Sequence, residues 1–244
     1  MRNIRLDLCY DGSRYLGWQR LNGESNTIQG KLEQTLSRIL GEPIQINGSG
    51  RTDAGVHAQL QVASFHCENA MDTDEMLSEL RRYLPEDIGI YSCKEASPRF
   101  HARLNAKRKT YCYRIWNSEA PCVFQRRYVA FFPEKLDVSA MEKAGEQLVG
   151  KHDFAAFCTR ANKKKSTQRE IYRVSLERVG EEIHILVTAD GFLYNMMRII
   201  AGTLIEAGRG ERTPQSIPEL FSASRKEAGF LAPAKGLCLM EVEY

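Results

Sequence analysis

One order of secondary-structure elements occurs twice in this sequence, and this repetition limits the fold more than any other feature. Between residues 2 and 96, alternating and helical hydrophobic patterns predict strand, helix, strand, strand, helix and strand. A similar order recurs between residues 109 and 243. The repetition indicates two halves built alike, each of the split βαβ type. We therefore expect an α+β fold in which two ferredoxin-like halves pack their sheets edge to edge around a cleft.

Spacing and capping signals place the individual elements. Helices are predicted over residues 27–40, 73–83, 138–149 and 195–207. Strands are predicted over residues 2–10, 44–47, 60–67, 88–96, 109–117, 170–178, 182–189 and 237–243. The joint between the halves falls near residues 97–106, which predicts an N-terminal half over 1–100 and a C-terminal half over 101–244.

Charge is distributed unevenly along the chain. The net charge is only +3, but residues 1–98 carry 10 Lys/Arg against 14 Asp/Glu, whereas residues 99–244 carry 24 against 17. Residues 99–114 hold six basic residues and no acidic one, and residues 160–173 hold six basic residues and one acidic residue. Clustered positive charge on a near-neutral protein indicates a polyanionic partner. Runs of charge are also typical of solvated loops, and the sequence leaves that alternative open.

Composition excludes several classes of protein. No apolar run reaches the ~18 residues that a membrane span needs, and the first residues lack the apolar stretch of a signal peptide. We therefore expect a cytoplasmic protein with no membrane partner. None of the seven cysteines belongs to a Cys-x-x-Cys pair or has a histidine at zinc-ligand spacing. This pattern predicts reduced thiols and no metal site.

The most unusual segment is residues 47–58, Asn-Gly-Ser-Gly-Arg-Thr-Asp-Ala-Gly-Val-His-Ala. Its three glycines allow close backbone approach and positive φ. Arg51 and Asp53 flank one threonine, so an extended backbone places both on one side. The segment is not a dinucleotide fingerprint, because position 53 is not glycine, nor a P-loop, because no Gly-Lys-Ser/Thr follows. A hairpin loop with an Asx turn at Asp53 is the alternative interpretation.

A second segment, residues 192–201, is almost entirely apolar apart from Asn195 and Arg198. A helix so apolar is buried on most faces, and an unpaired buried arginine is costly. We therefore expect Arg198 to face a carboxylate, with Asp53 and Asp190 as candidates, or an anionic ligand. The alternative is that its long side chain reaches the surface past its neighbours.

A third segment, residues 108–114, interleaves aromatic and basic residues. On a strand, Lys109, Tyr111 and Tyr113 share one face. Such a face suits RNA, because bases stack on aromatic rings while cations hold phosphates. A strand whose tyrosines belong to the core fits the composition equally well.

At these three segments the sequence resembles the tRNA pseudouridine synthase A family, whose members make pseudouridine at positions 38–40 of tRNA. The run from Gly50 to Ala58 matches the family's catalytic loop. Other matching motifs follow in the family's order over essentially the whole length: Tyr10-Asp11-Gly12, Gly17-Trp18-Gln19, Phe100-His101-Ala102-Arg103, Tyr111-Cys112-Tyr113, His152-Asp153-Phe154, Gly191-Phe192-Leu193 and Met196-Met197-Arg198. Met197 stands where valine is more usual in the family.

The resemblance implies a fold, a partner and an assembly. The fold is two α/β halves sharing a mostly antiparallel sheet with a central cleft. Residues 1–100 carry the catalytic aspartate loop and residues 101–244 the basic RNA-binding face. The partner is the anticodon stem-loop of tRNA, bound by a homodimer across both subunits, and no metal or organic cofactor takes part.

The resemblance also implies roles for three catalytic residues. The reaction detaches uracil from C1′ at N1, rotates it and rejoins it through C5. Asp53 is carried over as nucleophile at C1′ or as base toward the 2′-proton, and the sequence leaves that choice open. Arg198 keeps Asp53 ionised. Tyr111 stacks on the base, and its hydroxyl is a candidate acceptor for the C5 proton.

Further residues are expected to bind the RNA. Arg51 would position a phosphate or help bring the target nucleotide out of its stack. The basic runs supply candidates for backbone contacts: Arg103, Arg108, Lys163, Lys164 and Lys165.

Three other functions remain compatible with parts of the pattern. One is a non-catalytic RNA-binding protein, although binding alone does not require a carboxylate among phosphates. Another is a pseudouridine synthase with a different uridine target. The third is a nucleotide-metabolising enzyme, which the missing phosphate loop disfavours.

Overall fold

Two units make up the part of the chain that the computed structural model describes, which is residues 1–21, 26–159 and 166–244. The first unit comprises Met1–Lys107 and Leu239–Tyr244, and the second comprises Arg108–Cys238.

The described residues form ten strands and four α-helices. The strands are β1 (Arg2–Tyr10), β2 (Asn47–Gly48), β3 (His57–Cys67), β4 (Ile88–Glu95), β5 (Arg108–Trp116), β6 (Ala130–Phe131), β7 (Gly150–Asp153), β8 (Gln168–Val179), β9 (Glu182–Ala189) and β10 (Leu237–Glu243). The helices are α1 (Ile28–Leu40), α2 (Thr73–Tyr83), α3 (Val138–Glu146) and α4 (Met196–Gly208).

In the first unit, strand β1 lies between β4 and β3, and β10 follows on the other side of β3. The pairings of β1 with β3 and β4, and of β2 with β3, are antiparallel. Helix α1 buries apolar side chains four residues apart, from Ile28 to Leu40. Thr27 caps its N-terminus by accepting a hydrogen bond from the Gly30 N–H, and Gly41 ends it with a φ of 71°.

In the second unit, the strand order is β5-β9-β8-β7, and these pairings are antiparallel. Strand β6 pairs with β5 in parallel. Helices α3 and α4 pack against each other, α3 also contacts β8, and α4 also contacts β5. Eleven of the thirteen residues of α4 are buried, all except Arg198 and Glu206, as expected for so apolar a sequence.

The predicted α+β class with mostly antiparallel strands is confirmed, but some predicted element boundaries are wrong. The strand expected over 44–47 is reduced to β2, because side chains of α1 bind the backbone N–H groups before it. Ser37 Oγ accepts from Ile44 N at 2.9 Å, and Glu33 Oε1 accepts from Ile46 N at 2.9 Å. Helix α3 ends three residues before the predicted residue 149.

No helix in residues 1–21, 26–159 or 166–244 is long and apolar enough to cross a membrane.

Candidate active site

The loop between β2 and β3 carries Asp53, and its first residues are fixed by a buried glutamine on β3. The Gln61 side chain is 0% exposed. Its Oε1 accepts a hydrogen bond from Ser49 Oγ at 2.5 Å, and its Nε2 donates to the Gly50 carbonyl at 3.0 Å. Ser49 N also donates to the Val62 carbonyl at 2.7 Å. A buried amide is retained where its hydrogen bonds are satisfied, and here they define the start of the loop.

The residue before Asp53 is held by the segment that follows β1. The Thr52 carbonyl accepts from Trp18 N at 3.0 Å, and Thr52 Oγ1 shares a hydrogen bond of 2.8 Å with the Tyr10 hydroxyl. Asp53 itself is partly buried. Its carbonyl accepts from Val56 N at 3.1 Å, while Gly55 has a φ of 78°. The main chain therefore closes a tight turn directly after Asp53, and glycine supplies the positive φ that this turn needs.

The end of the loop is bound to the same segment. The Gly12 N–H donates to Nδ1 of the buried His57 at 3.1 Å. A Cβ on Gly12 would lie 1.9 Å from the Val56 carbonyl oxygen, and one on Gly17 would lie 2.7 Å from the Thr52 carbonyl oxygen. Glycines at these two positions let one backbone lie directly against the other.

We expect Gly12→Ala to lower the free energy of unfolding by about 1–3 kcal/mol, the usual effect of inserting a methyl group into packed structure. The loop has to move away from the added Cβ, so turnover should fall as well. Gly191→Ala is the stability control, since its nearest neighbour, Arg169 Nε, would lie 3.6 Å from the Cβ. Chemical denaturation compares the two variants, and equal stabilities would contradict this packing.

A cavity of about 220 Å³ opens beside the start of the loop within the first unit. Arg51 and Arg103, both predicted from sequence to bind RNA, line this cavity together with His101 and Asn47. The two predicted residues therefore lie at one place in the fold, although about fifty positions separate them in sequence.

In the second unit, Tyr111 lies on β5 and is 7% exposed. Its ring contacts the Phe192 ring edge to face, with centroids 4.8 Å apart. Tyr113, two residues further along the same face, is fully buried and donates from its hydroxyl to the Pro233 carbonyl at 2.9 Å. Burial raises the pKa of Tyr113 well above its usual value, although the nearby Arg198 opposes this.

Arg198 lies in the first turn of α4 and is only partly buried. Its Nε donates to the Ala232 carbonyl at 2.7 Å, and its Nη1 donates to Asn195 Oδ1 at 3.3 Å. Asn195 has a φ of 65°, and its Nδ2 donates to Thr159 Oγ1 at 2.8 Å. These contacts set the orientation of the guanidinium from within its own unit. Its pairing with Asp53 stays a prediction.

Arg108, another predicted RNA-binding residue, lies at the start of β5 in the second unit. The Arg108 guanidinium lies over the Tyr172 ring, 4.7 Å from its centroid. Lys163, Lys164 and Lys165 lie outside the described residues.

Sequence reasoning missed the residues that hold the loop, above all Gln61 and His57. The available signal was the position of Gln61 between two apolar residues, Leu60 and Val62, because a polar side chain among apolar neighbours needs hydrogen-bond partners. The 232–233 segment, whose carbonyls bind Arg198 and Tyr113, offers no comparable signal in its residue types.

Comparisons of the sequence with known proteins indicate one family. The model of a family described as tRNA pseudouridine synthase matches residues 9–105 and 144–244. A protein named tRNA pseudouridine synthase A 2 from Bacillus cereus (strain ZK / E33L) is 44% identical over 100% of both chains. Proteins named tRNA pseudouridine synthase A from Bacillus sp. (strain KSM-64) and tRNA pseudouridine synthase A 1 from Clostridium tetani (strain Massachusetts / E88) are each 45% identical at the same coverage. A solved Cbf5–Nop10–Gar1 complex aligns with 97% of this chain and 48% of that chain, at 11% identity and a TM-score of 0.40.

Proposed function

The chain belongs to the tRNA pseudouridine synthase family, and on that premise we propose that it converts uridine to pseudouridine at positions 38, 39 and 40 in the anticodon stem-loop of tRNA. In this isomerisation the bond between N1 of uracil and C1′ breaks, and a bond between C5 and C1′ forms. C5 loses a proton and N1 gains one, so the reaction needs no external oxidant, reductant or group donor.

The observation that carries the proposal is the Asp53 loop. A carboxylate can act on the sugar only if it is held in place, and this loop is bound by Gln61 at its start, by Trp18 and Tyr10 at Thr52, and by Gly12 at its end. Such fixed placement is what catalysis by a positioned group requires. We propose Asp53 as the essential residue, acting as nucleophile at C1′ or as base toward the 2′-proton.

We propose two further catalytic residues from the sequence resemblance. Arg198 is the partner that keeps Asp53 ionised. Tyr111 stacks on the released base, and its hydroxyl accepts the C5 proton while its own proton passes to water, so the phenol stays neutral. The edge-to-face contact with Phe192 holds the Tyr111 ring in one orientation, and we propose that the base stacks on the part of the ring that stays exposed.

The proposed substrate is a polyanion, and we propose that a homodimer binds it across both subunits. Arg51 and Arg103 are proposed to contact RNA from the first unit, and Arg108 from the second. The basic run at residues 160–173 is proposed to hold the tRNA backbone.

We expect replacement of Lys163, Lys164 and Lys165 by alanine to weaken binding of all tRNAs alike. For every phosphate that is no longer neutralised, the plot of log affinity against log salt should flatten by about 0.7–0.9. The control replaces three scattered exposed lysines, Lys135, Lys143 and Lys226, with the same change in net charge. A salt dependence equal to that of the wild type, or equal to that of the control, would count against this role.

The proposed activity is tested with unmodified tRNA transcripts that carry tritium at C5 of uridine. Forming the bond from C5 to C1′ removes the C5 hydrogen, so the purified protein should release tritium into water. A non-catalytic RNA-binding protein would bind the transcript without release. Binding without tritium release would therefore remove the isomerase proposal and leave the binding one.

A further inference from the structure

We propose that the cavity beside the Asp53 loop is a binding site for one backbone phosphodiester of the substrate RNA, held by Arg51, Arg103 and Nε2 of His101. The inference rests on the proposed function, since it takes RNA as the ligand. It adds His101 as a phosphate donor and assigns the cavity to a phosphate rather than to a base.

The charge of the cavity wall favours an anion. Two arginines and a histidine are among the described residues that line the cavity, and no Asp or Glu is among them. Liquid water takes about 30 Å³ per molecule, so a cavity of about 220 Å³ exceeds the volume of a few ordered waters. Arginine holds phosphate oxygens through two parallel N–H groups, which makes it a strong partner for a phosphodiester.

The hydrogen bonds of His101 fix which ring nitrogen can donate. Nδ1 accepts from Arg103 N at 3.1 Å and from Leu104 N at 3.4 Å. A nitrogen that accepts hydrogen bonds carries no proton, so the ring proton lies on Nε2. His101 therefore presents an N–H donor on the ring side opposite the loop backbone, and a phosphate oxygen can accept from it.

The loop that carries His101 and Arg103 is rigid around the residue between them. Ala102 is 0% exposed; its N–H donates to Ser64 Oγ at 3.0 Å, and its carbonyl accepts from the Tyr244 hydroxyl at 2.7 Å. Both flanking residues therefore start from a fixed backbone. A backbone that is already fixed leaves only the side chains to be ordered when the ligand binds.

The Glu33 carboxylate, which is bonded to Gln29 of the cavity wall, does not oppose a phosphate. It lies 2.9 Å from Arg20 Nη1. Its Oε1 accepts from Gln29 Nε2 at 2.8 Å. The negative charge is thus held by its own partners, as a buried charge requires.

The same contacts disfavour recognition of a base. Gln29 lines the cavity, but its Nε2 donates to Glu33 and to the Ile46 carbonyl, and its Oε1 accepts from Arg20 N. Stacking needs an accessible ring face, whereas the Trp18 side chain is 2% exposed and packs on Gly48. Among the described residues that line the cavity, the fully charged side chains are those of Arg51 and Arg103, and both are cationic.

The test is a scan of a synthetic anticodon-arm RNA in which one phosphate at a time is replaced by a neutral methylphosphonate. Affinities are measured by fluorescence anisotropy, which does not depend on catalysis. For wild-type protein, one position should weaken binding about tenfold. Arg103→Gln should already bind about tenfold more weakly and should lose nothing further at that position, because the residue and the phosphate form one contact.

His101→Asn gives a second variant that keeps the loop intact. The Asn oxygen can replace Nδ1 as acceptor for Arg103 N, while the donor at Nε2 is removed. This variant should also show reduced sensitivity at the same phosphate. Arg82→Gln is the control, because Arg82 belongs to the same unit, its side chain is 70% exposed and it pairs with Glu79 away from the cavity. Its scan should match that of the wild type.

Two results would overturn the phosphate site. One is a scan in which each neutralised phosphate weakens RNA binding by the wild type and by Arg103→Gln to the same extent. The other is that Arg103→Gln and His101→Asn bind the RNA as tightly as Arg82→Gln does. Tritium release from the same RNA is measured in parallel. If one phosphate is coupled to Arg103 but no tritium is released, the isomerase proposal fails and the phosphate site stands. If tritium is released but no phosphate is coupled to Arg103, the isomerase proposal stands and the phosphate site fails.

Discussion

Asp53→Asn is expected to abolish isomerisation while leaving tRNA binding nearly unchanged. The amide preserves the shape of the side chain but can act neither as nucleophile nor as base. The expected loss of rate is at least roughly 10⁴-fold, the upper end of what a single positioned base contributes. The fold should tolerate the change, because asparagine has the shape of aspartate and its Oδ1 can still accept a hydrogen bond.

Asp72→Asn provides the matched control for this variant. Asp72 caps α2, where its Oδ1 accepts from Asp74 N at 2.8 Å, and an Asn oxygen can accept the same bond. Single-turnover measurements at saturating protein should therefore show normal rates for Asp72→Asn and no detectable product for Asp53→Asn. Substantial turnover by Asp53→Asn would show that another group performs the chemistry.

Arg198→Lys is expected to lower the rate of the chemical step far more than it weakens tRNA binding. The substitution keeps the charge but loses the planar fork of N–H groups. In the wild type, Nε is bonded to the Ala232 carbonyl and Nη1 to Asn195. A single ammonium group cannot keep these bonds and also hold a carboxylate in two-point contact.

Arg178→Lys is a suitable control, since Arg178 is exposed on β8 and donates to Asn117 Oδ1 at 2.7 Å. Single-turnover rates and binding constants are compared for both variants. A proportional loss in rate and affinity for Arg198→Lys would assign this residue to binding. Arg198→Ala should also destabilise the fold, by less than the 3–5 kcal/mol typical of a broken buried pair, because Arg198 is only partly buried.

Elements were predictable where local signals and tertiary packing agree. Helix α2 begins and ends where the sequence predicts, because Asp72 caps it and acidic residues occupy its first turn. The predicted strand over 44–47 was wrong, because side chains of α1 bind the backbone N–H groups of Ile44 and Ile46, which are therefore not available to a neighbouring strand. Strand β7 has the sequence Gly-Lys-His-Asp and shows no alternation of apolar residues. The sequence therefore did not predict this strand or its pairing with β8.

The candidate site was predictable at the level of residue types but not of contacts. The need for a partner at Arg198 followed from its apolar surroundings, yet the Ala232 carbonyl lies 34 positions away in sequence. Likewise, nothing in the sequence places Arg103 beside Arg51, because their proximity depends on how the loop after β4 returns to β2. Long-range geometry of this kind comes from packing and not from local pattern.

The most direct test of the account is to map the modified positions in an unmodified tRNA that carries uridine at 38, 39 and 40 and elsewhere in the chain. After treatment with purified protein, pseudouridines are labelled with a carbodiimide and located by primer extension. We expect stops at positions 38, 39 and 40 and at no other uridine, and none after treatment with Asp53→Asn. Stops at other uridines alone, or the same stops with Asp53→Asn, would contradict this expectation.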